Sequence, residues 1–285
     1  MDIERVGVVG GGQMGAGIAE VCARAGSDVV VREINQEAAA AGEARITKSL
    51  NRGVERGKLD EAERDAILGR IHFTTDLDAM ADRHLVIEAV VEHEPLKAEI
   101  FSALDKIVTD ERAILASNTS SLPITRLAGN TGRPEHVVGM HFFNPVPVMR
   151  LMELITTVRT DAATAIAAEA YATETLAKTV VKAKDRAGFV VNMLLVPYMT
   201  EAMRMYEAGH ATAEDIDNGM KLGANHPMGP LELADFVGLD TMKLVADVLF
   251  EEYKLPQYAP PPLLVRMVEA GLLGRKSGQG FYTYE

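Results

Sequence analysis

The sequence predicts an α/β fold: an N-terminal doubly wound domain with a parallel sheet, followed by a smaller all-α domain. Three observations predict it. Short apolar runs alternate with helical patterns as far as Asp185. A glycine-rich turn follows the first of those runs. Beyond Asp185 the apolar residues recur at helical spacing, with no convincing alternating run among them.

The elements read in order. "RVGVVG" is a buried strand, and "GAGIAEVCARAG" after it is a helix. "DVVVREI" is the next strand, and residues Gln36 to Gly57 form a long helix. "HLVIEAV", "AILASNT" and "HVVGMHFF" are further strands, with the helix "PLKAEIFSALDKIV" starting at Pro95 between the first two. Such alternation implies a parallel sheet covered on both faces. "RLMELITT" and "KTVVKAKD" extend the strand candidates after the prolines Pro145 and Pro147. The domain boundary falls near residue 186, giving domains of 1–186 and 187–285. Met193, Met199, Met203 and Met205 lie in the first helix of the second domain, at the spacing of core or subunit-interface packing.

A length of 285 residues suits two domains of this kind. The net charge of −12 argues against general binding to nucleic acid or anionic membranes, though not against a local basic pocket. Cys22 is the one cysteine, so no internal disulfide forms, and its apolar helical face makes it a buried group. The N-terminus carries acids rather than a secretory leader, and no apolar run is long enough to span a bilayer, so the cytoplasm is the expected compartment.

The turn after the first strand contains Gly10-x-Gly12-x-x-Gly15. Strand before and helix after are the context that a dinucleotide site of the Rossmann type requires. Gly10 makes the tight turn, Gly12 lets the backbone approach a pyrophosphate, and Gly15 lets helix and strand pack closely. The helix N-terminus offers unpaired N–H groups and a positive dipole end to the phosphates. Glu33, 18 residues after Gly15, stands where an acid binds the adenosine ribose hydroxyls. That favours NAD; Arg32 beside it leaves NADP open. No P-loop is present.

Hydride chemistry on a hydroxyl also needs a proton carrier, and histidine titrates nearest neutrality. Of seven histidines, His141 sits at the C-terminal end of a predicted strand, the edge where ligands bind in open parallel sheets. Glu153 lies in an apolar run, where an unpaired carboxylate is costly and must find a partner. A bend at Pro145 and Pro147 could return Glu153 to His141. A carboxylate on one imidazole nitrogen would then fix the tautomer while the other nitrogen faces substrate. His93-Glu94 lacks the second histidine of a zinc motif, and no metal is expected.

"GGGQMGAGIA", "ILASNTSSL", "HFFNPVPVMRLMELI", "GFVVNMLLVPY", "LGANHPMGPLELADFVGLD" and "GRKSGQGFY" together resemble the L-3-hydroxyacyl-CoA dehydrogenase family, from about residue 3 to the C-terminus. The likeness is greatest to its short, free-standing bacterial members. The resemblance implies an acyl-CoA substrate, a four-carbon chain above all, and a homodimer. It makes His141 the general base, with Glu153 its partner. Ser120, the first of the paired serines, would bond the substrate oxygen, and Asn192 would orient substrate and histidine. The cofactor would be contacted at Gln13, Met14, Glu33, Ala89, Glu92, Lys97, Asn118 and Asn144. Arg52 and Arg56 match positions that meet the phosphates of CoA.

Each position has a plainer reading. Ser120 could cap a helix beginning near Leu122. Lys97 could be a surface lysine, Asn192 a satisfied helix group, and Arg52 with Arg56 a solvated face. Glu33 stands where aspartate is commoner in the family, and Met193 where a basic residue is. The competing functions are a gulonate-type sugar-acid dehydrogenase and a non-catalytic dinucleotide-binding protein. A 6-phosphogluconate-type enzyme would need a catalytic lysine that has no matching motif here.

Overall fold

The structure is a computed structural model that describes residues 2–284. The chain divides into two compact units, Met1–Asp185 and Arg186–Glu285.

In the first unit the elements are β1 (Arg5–Val9), α1 (Gln13–Arg24), β2 (Asp28–Arg32), α2 (Gln36–Glu55), α3 (Glu61–Leu68), β3 (Ile71–Thr74), β4 (Leu85–Glu88), α4 (Glu94–Ile107), β5 (Ile114–Ser117), α5 (Ile124–Ala128), β6 (Val137–Phe142), β7 (Leu151–Thr156), α6 (Ala162–Ala170) and β8 (Thr179–Lys184). The eight strands form one sheet in the order β3-β2-β1-β4-β5-β6-β7-β8. The first six pair in parallel. β7 runs antiparallel to β6, and β8 runs parallel to β7. The expected parallel sheet therefore carries two reversed strands at one edge. Residues 143–150 connect β6 to β7 too briefly for the crossover that a parallel neighbour needs.

β1, β4, β5 and β6 are almost entirely buried, as strands covered on both faces must be. The core of this unit includes Val6, Val8, Ile18, Val29, Val31, Leu85, Ile87, Ile114 and Met140. Cys22 is fully buried, and burial pushes its thiol up to about 11. β3 and α3 were not anticipated. β3 has four residues and no fully buried one, so the apolar signal that marks the other strands is weak there.

The second unit contains α7 (Val191–Glu207), α8 (Ala213–Asn218), α9 (Pro230–Val237), α10 (Leu239–Tyr253) and α11 (Pro262–Glu269). Its own core includes Met199, Met203, Leu231, Leu239, Met242, Leu249 and Leu264. Met193 is partly buried against that core and Met205 is exposed, so the methionine row divides between packing and surface. Two buried aspartates hold the C-terminal segment onto the helices. Asp235 accepts from Phe281 N, Tyr282 N and the Tyr284 hydroxyl at 2.9–3.0 Å. Asp217 accepts from Leu231 N and from the Tyr282 hydroxyl, each at 2.8 Å. Among the described residues, no helix is long and apolar enough to cross a membrane.

Candidate active site

The glycine turn has the shape that a dinucleotide requires. Gly10 takes φ +100°, a left-handed conformation that other residues avoid. A Cβ at Gly15 would lie 1.7 Å from the Gly10 carbonyl oxygen, so α1 can pack onto β1 only without a side chain there. A Cβ at Gly12 would meet nothing within 4 Å, which leaves its backbone open to a ligand. Gly12 is also the N-cap of α1 and supplies no side-chain cap, so the first helical N–H groups are not satisfied by one. These features fit a bound pyrophosphate.

Glu33 follows β2 directly. Its carboxylate accepts from Gly11 N at 2.6 Å and from Ile34 N at 2.9 Å, which ties the acid to the glycine turn. Arg32 donates from Nε to the Thr75 carbonyl at 3.3 Å. Ala89 caps the end of β4, donating from its N–H to Val9 O, and its carbonyl backs against Gly10. Met14 packs partly into the core.

Gln13 and Asn144 meet across the fold: Gln13 Nε2 donates to Asn144 Oδ1 at 3.1 Å. Both line a cavity of about 380 Å³, as do Arg45, Lys48 and Arg52 on α2. Arg52 and Lys48 also line a shallower groove along the exposed face of α2. Arg52 therefore shares a cavity with predicted cofactor residues, and sequence reasoning missed Arg45 and Lys48 beside it. Arg56, the C-cap residue of α2, is exposed and lines neither.

The antiparallel pairing of β6 with β7 assembles the proposed dyad. His141 and Glu153 are register partners on the two strands. Residues directly opposite in such a pair share a face. His141 Nδ1 lies 2.7 Å from Glu153 Oε2, with Glu153 fully buried and His141 nearly so. A carboxylate can only accept, so Nδ1 carries the proton of this bond. The Phe143 ring lies beside the imidazole, centroids 4.6 Å apart. The bend between the strands is held by its own turn and by a buried amine. Val148 N and Met149 N donate to Pro145 O at 2.9 Å, and Lys178 Nζ donates to Val146 O and Met149 O at 2.6 and 2.7 Å. Three of the other histidines have local tasks: His93 caps α4, His84 accepts from Glu4 N, and His136 bonds Thr164.

Lys97 is not a surface lysine: it is 1% exposed, and its amine lies 2.7 Å from Glu88 and 3.2 Å from Glu92. Glu88, which sequence reasoning missed, is fully buried at the end of β4. It carried the same signal as Glu153, an acid inside an apolar run. Removing one member of a buried pair costs about 3–5 kcal/mol, because the partner is left uncompensated.

Ser120 does not cap a helix. α5 begins at Ile124 rather than Leu122, and its N-terminal N–H groups are taken by Asp185, which accepts from Ile124 N at 2.8 Å and Thr125 N at 2.6 Å. The turn N–H groups of Ser121 and Leu122 go to Thr119 Oγ1. Among the described residues, no hydrogen bond engages the Ser120 hydroxyl. Asn118 ties this loop to the dyad strand, accepting from Phe142 N at 2.9 Å. Asn192 lies in the first turn of α7, in the other unit. Met193 packs partly buried against the helical core, and its Sδ accepts from the Tyr253 hydroxyl at 3.7 Å.

Known proteins match this architecture along its whole length. A family model described as "3-hydroxyacyl-CoA dehydrogenase, NAD binding domain" matches residues 5–186, and the corresponding "C-terminal domain" model matches residues 188–284. The chain is 60% identical to a 3-hydroxybutyryl-CoA dehydrogenase of Mycobacterium tuberculosis, over 99% of both chains. The crystal structure of M. tuberculosis FadB2 superposes with a TM-score of 0.99 at 60% identity, covering 100% of each chain. That of the (S)-3-hydroxybutyryl-CoA dehydrogenase PaaH1 from Ralstonia eutropha does so with a TM-score of 0.95 at 46% identity, again covering 100% of each. With consecutive stretches matched by the two halves of one family, and relatives that span it end to end, the chain belongs to the 3-hydroxyacyl-CoA dehydrogenase family.

Proposed function

We propose that this NAD-dependent dehydrogenase interconverts (S)-3-hydroxyacyl-CoA and 3-oxoacyl-CoA, with 3-hydroxybutyryl-CoA as its substrate, as a cytoplasmic homodimer. The observation that carries the reading is the buried pair of His141 and Glu153 at 2.7 Å. The names of the relatives, 3-hydroxybutyryl-CoA dehydrogenases, support the four-carbon substrate.

Bound NAD would supply the acceptor for the hydride from C3. His141 accepts the proton of the 3-hydroxyl at Nε2 and returns it in the reverse direction. Glu153 holds the Nδ1 proton, which sets the tautomer and stabilises the imidazolium that forms. Ser120 donates to the substrate oxygen. Asn192 is assigned to the same oxygen on the resemblance alone. Gly10, Gly12 and Gly15 shape the pyrophosphate turn, and Gln13, Met14, Glu33, Ala89, Glu92, Asn118 and Asn144 surround the cofactor. Lys97 is assigned to the same region from inside the fold. Arg52 and Arg56 take the CoA phosphates, with the shared cavity supporting Arg52 over Arg56. The helical unit provides the dimer contact, and its exposed Leu222, Phe236 and Phe250 are apolar groups that such a contact would cover.

The test is the fall of NADH absorbance on adding acetoacetyl-CoA, repeated with longer 3-oxoacyl-CoA chains and with NADPH. Turnover fastest with acetoacetyl-CoA and NADH is expected. Absence of turnover with either nucleotide would remove the reading.

A further inference from the structure

We propose that Glu88 is a positioning residue for Ser120, acting through a largely buried chain of polar groups that ends on the two residues flanking that serine. The inference rests on the assignment of Ser120 to the substrate oxygen.

The chain starts where two strands end. Glu88 closes β4 and is the register partner of Ser117, which closes β5. An ionised carboxylate offers about four lone-pair sites. Three are filled from inside the protein: by the Ser117 hydroxyl at 2.6 Å, by Val90 N at 2.7 Å and by the Lys97 amine at 2.7 Å. Lys97 passes the connection on. Its amine also faces Glu92 at 3.2 Å and the Val90 carbonyl at 3.5 Å. Glu92 then receives the hydroxyls of Thr119 and Ser121, on either side of Ser120.

A second, shorter link runs along the loop itself. The Ser117 hydroxyl, while donating to Glu88, accepts from Thr119 N at 3.1 Å. The Thr119 hydroxyl, while donating to Glu92, accepts from Ser121 N at 3.2 Å and Leu122 N at 2.9 Å. Of the four hydroxyls between residues 117 and 121, three are thus spent inward on Glu88 and Glu92. Ser120 is the exception.

This pattern separates two tasks within five residues. Ser117, Thr119 and Ser121 hold the loop, and Ser120 is left to do chemistry. The loop has no regular structure between β5 and α5, and these bonds add to Asn118, which ties it to β6, in fixing residues 119–121. Misplacing a reacting group by about 1 Å can lower a rate about a hundredfold, so the loop's rigidity matters to the reaction. A buried carboxylate–ammonium pair, extended to the partly buried Glu92, would be an expensive way to fill space that apolar residues fill as well or better. Their connections converge on the neighbours of Ser120.

The experiment is a double-mutant cycle on Thr119 and Ser120, because Thr119→Val removes one hydroxyl and leaves the buried charges paired. Ser120→Ala, Thr119→Val and the double variant are assayed for kcat and KM with acetoacetyl-CoA and NADH, with NADH affinity by fluorescence and Tm alongside. Each single variant is expected to lower kcat about tenfold or more with NADH affinity within about threefold. Thr119→Ser is expected to restore kcat to within about twofold. On top of Ser120→Ala, Thr119→Val should add less than about twofold, since the loop then has no hydroxyl to position. Glu88→Gln should behave like Thr119→Val; if it does not fold, Ser117→Ala probes the same carboxylate through its direct link to the loop. Losses that multiply in the double variant, or a folded Glu88→Gln or Ser117→Ala with wild-type kcat, overturn the inference and leave Ser120 assigned. A Ser120→Ala enzyme with wild-type kcat overturns the assignment of Ser120 and this inference with it.

Discussion

His141 and Glu153 sit 2.7 Å apart, and single substitutions separate the tasks proposed for them. His141→Ala is expected to lower kcat about 10²- to 10⁴-fold, the range of general acid–base catalysis, while NADH affinity stays within about threefold. Fluorescence titration with NADH beside steady-state assays checks this; loss of NADH binding would mean that the imidazole holds the fold instead. Glu153→Gln keeps the shape but can donate to Nδ1 and turn the tautomer. It should lower kcat more than it raises KM, and a collapse of Tm instead would make Glu153 a structural group. This residue was legible because an acid inside "LMELI" needs a partner, and the prolines supplied a means of bringing one. Glu88 carried the same sign in "LVIE" and was missed. Its ammonium partner lies on a helix nine positions on, in a stretch that reads as an ordinary charged helix start. A buried pair announces itself in sequence only where both members look out of place.

Among the elements, β1 with α1 was the most legible, because its requirement is steric and local. Gly15→Ala places a Cβ 1.7 Å from Gly10 O, so the helix must move from the strand. NADH binding should be lost together with several degrees of Tm, and a Gly15→Ala protein with wild-type NADH affinity would contradict the role of this turn. The start of α5 was not legible. Capping residues normally lie beside the helix that they cap, and Ser120 was the nearby candidate. The cap is Asp185, 60 and 61 positions from the amides that it accepts. Asp185→Ala should cost about 0.5–2 kcal/mol by chemical denaturation, the range for a lost N-cap. The direction of β7 was equally hidden. Its apolar run has the same composition whether it pairs parallel or antiparallel, and only the shortness of the 143–150 connection decides.

On the scale of the whole molecule, each unit has its own core, and the second is closed by Asp217 and Asp235 on the C-terminal segment. The change from alternating runs to helical spacing made the two-part organisation readable. The aspartate fastening was not, since most of its donors are backbone amides that every sequence has, and the two tyrosine hydroxyls lie far along the chain. Burial holds the Asp235 carboxyl above the usual carboxylate range, against the hydrogen bonds that lower it. A proton held more tightly in the folded state adds stability below the ordinary carboxylate pKa of about 3.9, and this is lost as pH rises through the raised value. The stability of the wild type relative to Asp235→Asn should therefore decline as pH rises from the acid side towards neutrality. Thermal scans of both proteins across that window check the sign; a difference that grows with pH would reverse it.

The pairing of His141 with Glu153 as opposite rungs of one ladder also says which parts of this enzyme are exchangeable. Residues 143–150 do not have to join the two side chains, because the strands already do. A bend grafted from a relative, longer or differently composed but keeping Asn144, would alter what the site admits and leave the His141–Glu153 contact intact. One residue inserted within β7 would do the reverse, turning Glu153 to the opposite face of the sheet. The bend is the component a protein engineer can replace, and the ladder is the one to inherit whole.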